Sequence, residues 1–251
     1  MIYGLYNSAA GMMTNEYRQA VLSNNIANAE TVGFKRDIAT FAERLPAWES
    51  GEREGPSARS LEGMSGGQWL GKTVTDFSEG NDTPTGNWSD LALEGPGFFV
   101  VQGEGKPLYT RDGRMQMNVA GLLVASSDGA PILNAAGMPI QLNPHGGLPS
   151  VDTQGRVEQD GAQVAEVGIA DFQDYGALQK VGAQRWAAPQ GTTPAPSPAL
   201  VRSGYTEGSS VQPVTEMVSM IEASRAYQIN ARMVSLQDET TGRLVSTILQ
   251  A

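Results

Sequence analysis

Ser23-Asn-Asn-Ile-Ala-Asn-Ala-Glu-Thr-Val-Gly-Phe-Lys-Arg36 is polar where the helical spacing before it requires apolar residues. Asparagine is a poor helix-interior residue, because its side chain competes for backbone groups and tolerates left-handed geometry. Asn24, Asn25 and Asn28, with Ile26 among them, therefore predict a helix end built for specific hydrogen bonding. Gly33 predicts a turn, and Phe34 an apolar anchor for the chain that follows. The stretch separates a helix from everything downstream.

Upstream of this stop, Ile2, Tyr6, Ala9, Met13, Ala20 and Ala27 form a helical stripe, with Leu5, Met12 and Tyr17 beside it. Small residues dominate it. Burying a large aliphatic side chain contributes about 1.5–3 kcal/mol, and this helix has few of them. It is expected to become ordered when packed against other helices. The alternative is an ordinary helical hairpin inside one globular domain.

The opposite end mirrors it. Ser209-Ser210 precede Pro213 and Glu216, which predicts an N-cap region, a first-turn proline and an acid at the positive helix end. A helix from there to about Leu249 is roughly 55 Å long at 1.5 Å per residue. Met217, Met220, Tyr227, Ala231, Val234, Val245 and Ile248 fall on a heptad, interrupted by Ser224, Asp238 and Thr241. Val214, Val218, Ile221, Ile229, Leu236 and Leu244 form a second stripe. Two adjacent stripes require cover on more than one side. Residues 2–27 are expected to cover one, and neighbouring chains the other.

Between the ends the chain reads as β. Leu91-Ala-Leu-Glu-Gly-Pro-Gly-Phe-Phe-Val-Val-Gln102 is an alternating stretch, a break and an apolar strand. Leu108 to Asn118 places Asp112-Gly113 between two strand-like runs, the pattern of a hairpin. Asp128-Gly129, Ala136-Gly137 and Gln154-Gly155 continue the turn signals, so short antiparallel strands are expected. Gly191–Pro198 and Glu49–Gly67 read as loops. The expected class is α+β. Long N- and C-terminal helices pack as a coiled-coil-like stalk around a central all-β domain. The parts are 1–45 (helix and helix end), 46–84 (extended or loop), 85–205 (β domain) and 206–251 (C-terminal helix).

Composition excludes several functions. A net charge of -10 and a pI near 4.6 argue against nucleic acid or an anionic membrane surface as partner. The absence of cysteine removes disulfides and thiolate metal sites, and the single histidine, His145, removes a multi-histidine metal site. No basic n-region precedes an apolar run, and no apolar run is long enough to span a bilayer. Both a cytoplasmic protein and one exported without a cleaved signal look like this. The Gly-rich pieces Gly63–Gly67 and Gly103–Gly105 lack the context of a phosphate cradle. Asp152, Asp160, Asp171 and Asp174 are carboxylates with nothing to pair them across a cleft.

The quoted stretch 23–36 closely resembles the N-terminal signature of the flagellar rod and hook proteins, an Asn-Asn-(Leu/Ile)-Ala-Asn run followed by Thr-x-Gly-(Phe/Tyr)-Lys. Thr85-Gly-Asn87 with Leu91–Gln102, Tyr109-Thr-Arg-Asp-Gly113 and Ser209–Tyr227 are similar to further stretches of that family, in the same order. The resemblance implies a structural subunit of the flagellar basal-body rod, with terminal helices in an inner tube and a β domain facing outward. It implies no catalytic residue, cofactor or metal. Expected partners are other rod proteins, copies of the same chain and the flagellar type III export apparatus. The total length and the 37–75 segment favour the proximal rod over the distal rod. A secreted β-rich binding module or adhesin with a helical stalk is the more distant alternative. The expected assembly interface is Asn24, Asn25, Ile26, Asn28, Gly33, Phe34, Met217, Val218, Ile221, Tyr227, Ile229, Val234, Leu244 and Ile248.

Overall fold

A computed structural model describes residues 2–43, 67–182 and 184–249. Helix α1 (Ile2–Ala27) opens the chain and helix α2 (Pro213–Leu249) closes it. Between them lie short strands, β1 (Asp37–Glu43) to β17 (Tyr205–Glu207). Terminal helices that pack together and a central set of short antiparallel strands make the fold α+β. The chain divides into two compact units.

The first unit holds residues 1–27, 37–74 and 212–251. In it α1 packs on α2, and β1 pairs with β2 (Gln68–Thr75) as a two-stranded sheet beside α1. Part of the 46–84 segment, read as extended or loop, thus forms β2 and β3 (Asp82–Pro84). Most of the Glu49–Gly67 loop lies outside the described residues.

The second unit holds residues 28–36 and 75–211. Its largest sheet has six strands: β13 (Gln179–Lys180), β14 (Arg185–Ala187), β6 (Pro107–Thr110), β5 (Phe98–Gln102), β12 (Ile169–Asp171) and β15 (Ala195–Pro196), in that spatial order. Side chains alternate across a strand, and β5 uses both faces. Phe99 and Val101 enter an aliphatic core with Leu91, Leu123, Ile132 and Val157. Phe98 enters an aromatic cluster with Tyr109, Phe172 and Trp186. A strand buried on both faces needs a continuous apolar run, which Phe98-Phe-Val-Val supplies.

Two local expectations are corrected. Asp112-Gly113 does not join a hairpin. β6 pairs with β5 and β14, whereas β7 (Met115–Met117) pairs with β8 (Leu123–Ala125). At that point the chain crosses between sheets. A methyl group at Gly113 would lie 1.6 Å from the Leu91 carbonyl oxygen, so only glycine fits the crossing. Ser209 and Ser210 do not cap α2 either. Ser209 Oγ accepts from the Val211 N–H and Ser210 Oγ from the Arg36 N–H, and the first helical turn instead closes from Glu216 N–H to the Gln212 carbonyl.

Candidate assembly interface

Residues 28–36 are woven into the second unit. Thr31 N–H and its hydroxyl both bond Asn28, which finishes the turn after α1. Gly33 has φ +69°, and a methyl group there would meet the backbone nitrogen of Asp112 at 2.5 Å. Its N–H donates to the Glu207 carbonyl at 2.8 Å. Phe34 is 1% exposed, and the Lys180 ammonium lies 4.7 Å from its ring centroid. The Phe34 carbonyl accepts from Ser210 N–H at 3.0 Å.

Lys35 is buried beneath this anchor. Its Nζ donates to Glu207 Oε1 at 2.5 Å and to the Ser78 carbonyl at 2.7 Å. Arg111 Nη1 donates to Glu207 Oε2 at 3.2 Å, and Nη2 to the Gly95 carbonyl at 2.8 Å. All three side chains are buried. One carboxylate thus holds two cations. Burial pushes the Lys35 pKa down, and the nearby Arg111 adds to this while Glu207 opposes it. The clasp joins three separate parts of the sequence: the 23–36 signature, Tyr109–Gly113, and the strand β17 that carries Glu207. Nothing in the sequence around Glu207 marks it as the shared anion.

The helix pair has its own polar lock. Asn25 is buried at the end of α1. Its Nδ2 donates to the Asp37 carbonyl at 2.8 Å and to Glu216 Oε2 at 3.2 Å, and its Oδ1 accepts from the Asp37 N–H at 2.9 Å. The helices run antiparallel. A methyl group at Gly4 would lie 2.8 Å from Gln237 Nε2, and one at Gly11 2.8 Å from Asn230 Nδ2. One heptad on from Asn230 in that register, Ala223 is fully buried. The seam of α2 is therefore Glu216, Ala223, Asn230 and Gln237, flanked by half-buried Met220, Tyr227 and Val234.

In the single chain α1 covers part of one stripe of α2 and leaves the other open. Of the α2 heptad only Met220, Tyr227, Val234 and Ala231, with the polar Ser224, lose part of their exposure, while Met217, Val245 and Ile248 stay exposed. The second stripe is open throughout, from Val214 (71%) through Val218 and Ile221 to Ile229 (64%), Leu236 and Leu244. On α1, Tyr6 (69%), Met13 (65%), Ala20 and Ala27 are also exposed. At 100° per residue these positions lie opposite the glycine seam, except Leu244, which continues the seam heptad one step past Gln237. Along its central line the pair is inside out, with glycine, alanine and amide side chains within and apolar stripes without, while Val21 and Leu22 of α1 are also buried.

The expected interface residues thus fall into two groups. Asn25, Gly33 and Phe34 are buried within the chain, with Asn28 and Ile26 half-buried and Asn24 exposed. Met217, Val218, Ile221, Ile229, Leu244 and Ile248 are exposed, and Tyr227 and Val234 half-exposed.

The carboxylates considered for catalysis each serve a local turn. Asp152 holds Arg156, Asp160 accepts from the Gly147 N–H, and Asp174 accepts from the Gly176 N–H. Asp171 accepts from the Tyr175 hydroxyl at 2.6 Å, and burial together with Asp171 pushes that phenol up to about 12. Among the described residues no three His, Cys, Asp or Glu gather to hold a metal, and no helix is long and apolar enough to cross a membrane.

Known proteins match along the chain in the same order. Residues 5–35 match the flagella basal body rod protein family, 92–162 the flagellar hook protein FlgE/F/G D1 domain, and 202–247 the flagellar basal body rod FlgEFG protein C-terminal family. Flagellar basal-body rod protein FlgF of Caulobacter vibrioides is 35% identical over 234 residues, 92% of this chain and 91% of that protein. Flagellar basal-body rod protein FlgG of Buchnera aphidicola subsp. Schizaphis graminum is 32% identical over 262 residues, 97% of this chain and 99% of that protein. Flagellar basal-body rod protein FlgF of Mesorhizobium japonicum is 30% identical, with 97% of each chain covered.

Proposed function

This chain belongs to the flagellar basal-body rod protein family, and from that premise we propose that it polymerises through the outer apolar faces of its terminal helix pair. It is a structural subunit of the flagellar basal body, not an enzyme, and it assembles with other rod proteins.

The inside-out seam carries the proposal. Eleven large apolar side chains of α2 are exposed among the described residues. They are 43–80% exposed, so covering what remains contributes roughly 9–19 kcal/mol, a little over half of about 1.5–3 kcal/mol each. That matches the association cost of about 4–15 kcal/mol. Apolar stripes on opposite sides of one helix pair suit head-to-tail contacts, which propagate instead of closing on a dimer. The acidic segment 75–211, with 15 acidic and seven basic residues, remains as a repelling outer surface.

Ile221→Asp tests this. The purified variant keeps its helical and near-ultraviolet circular dichroism, and basal bodies from cells carrying it lack the subunit. Basal bodies with a normal complement of the variant would refute assembly through this face.

The position in the rod and the route to it belong to the same proposal. The total length and the 37–75 segment favour the proximal rod. The family resemblance supports passage through the flagellar type III export apparatus. In a deletion strain, a rod that stops before its distal segment supports the proximal position, and one that stops only before the hook supports the distal position.

A further inference from the structure

Two buried donors in the β unit have nothing to bond. Arg111 Nε and Trp186 Nε1 are both enclosed, and neither has a hydrogen-bond partner among the described residues. Arg111 is 4% exposed and Trp186 1%. Buried donors in folded chains are almost always bonded, to protein or to a bound molecule. The other nitrogens of Arg111 are already committed, Nη1 to Glu207 and the Leu93 carbonyl and Nη2 to the Gly95 carbonyl.

The strand register brings the two donors together. Trp186 of β14 pairs with Tyr109 of β6, and Arg111 follows Tyr109 by two residues. Arg111 and Trp186 are thus diagonal neighbours across the pair, about 7–8 Å apart at the backbone and within reach of long side chains. Both also meet one ring. The Arg111 guanidinium carbon lies 5.5 Å from the Phe98 centroid, and the Trp186 ring centroid lies 5.5 Å from it.

Charge decides what kind of acceptor suits them. Lys35 and Arg111 are two buried cations on the single carboxylate of Glu207. Asp112, also buried, is taken by Arg114. Glu79 is exposed and accepts from the Gly95 N–H. The buried group therefore keeps one positive charge in excess, and an uncompensated buried charge is costly. A water molecule would satisfy the donors alone. An anion satisfies the donors and the charge. An oxyanion needs several further donors, whereas the surroundings here are the rings of Phe77, Phe98 and Tyr175. A monatomic anion accepts from two N–H groups and tolerates ring carbon elsewhere.

We propose that Arg111 Nε and Trp186 Nε1 bind one halide ion, with chloride the physiological one, which neutralises the cluster of Lys35, Glu207 and Arg111. The site lies wholly within the β unit and does not depend on how the chain assembles.

Urea unfolding of the full chain tests this, with sodium chloride exchanged for sodium sulfate at fixed ionic strength. Tryptophan emission follows the β unit, since Trp88 packs on its aliphatic core and remains in the variant. A ligand that binds only the folded state stabilises it as RT ln(1 + [L]/Kd). Once chloride exceeds its Kd, each tenfold rise therefore increases the folded-to-unfolded ratio by about tenfold beyond the general effect of the salt exchange. Trp186→Phe keeps a ring and loses the N–H, and its chloride dependence falls to that general effect. The slope is read and not the stability, so a less stable variant still reports. Crystals of the parent soaked in bromide give a second reading that needs no variant, an anomalous peak within hydrogen-bond distance of Arg111 Nε and Trp186 Nε1. Equal chloride dependence in parent and Trp186→Phe overturns the proposal. So does a water molecule, or no bromide peak, between the two donors.

Discussion

Asp76 shows how one side chain ties the 28–36 segment into the β unit. Its Oδ2 accepts from Arg36 Nε at 2.8 Å and its Oδ1 from the Ser78 N–H at 3.0 Å. Burial pushes its carboxyl up, but the bonds to Ser78 and Arg36 outweigh burial and hold it below the usual 3.8. A depressed carboxyl adds stability above its unfolded pKa, and that stability is lost as pH falls through the folded value. Acid unfolding of the parent, followed by tryptophan fluorescence, is therefore steeper below about pH 4 than that of Asp76→Asn. The two curves converge at the acid end, where both side chains are neutral. At this scale the sequence was readable where a residue type has a special backbone role. Gly33 and Phe34 do what the turn and anchor reading requires. Glu207 was not readable, because a buried carboxylate is defined by cations 172 and 96 residues away in sequence.

The helices show the same limit at the scale of an element. Hydrophobic periodicity located both helices and ended them at Ala27 and Leu249. It also found the faces that require cover. It did not find the partner of each face, since the seam of glycine, alanine and amides has no hydrophobic signal. Ala223 separates the two kinds of face. It is fully buried, and a larger side chain there overpacks the seam at a cost of about 1–3 kcal/mol. Ala223→Leu is expected to lower the thermal midpoint of the helical signal in the free subunit. The Asp112-Gly113 crossing is a comparable case. The dipeptide forecasts a tight turn, yet pairing depends on which strands flank it in space. Phe98–Gln102 was legible because a strand buried on both sides carries its whole environment in its own apolar run.

For the whole molecule, composition divided the chain into helical ends and a β middle, and the units run across that division. Residues 28–36 follow a helix in sequence but belong to the β unit, together with 75–211. A chain of residues 28–43 supplied in trans with 75–211 should therefore restore stability that 75–211 alone lacks. Loss of Phe34 by itself leaves a core vacancy worth about 3–5 kcal/mol. Urea unfolding of 75–211 with and without the added peptide measures the difference, and a peptide carrying Phe34→Ala restores little of it.

The first stretch of the β unit, residues 28–36, is bonded to its last, residues 207–210. Gly33 N–H reaches the Glu207 carbonyl, Ser210 N–H the Phe34 carbonyl, and Arg36 N–H the Ser210 hydroxyl, with Lys35 and Glu207 beneath them. Tension applied between residues 36 and 211 meets these bonds first and closes its path there. Arg36 and Lys35 also hold Asp76 and Ser78, so the start of the 75–205 segment shares the load while most of its strands lie off the shortest path. In a rod, a pull carried through the terminal segments therefore reaches most of the β strands last, and their short pairings bear little of it.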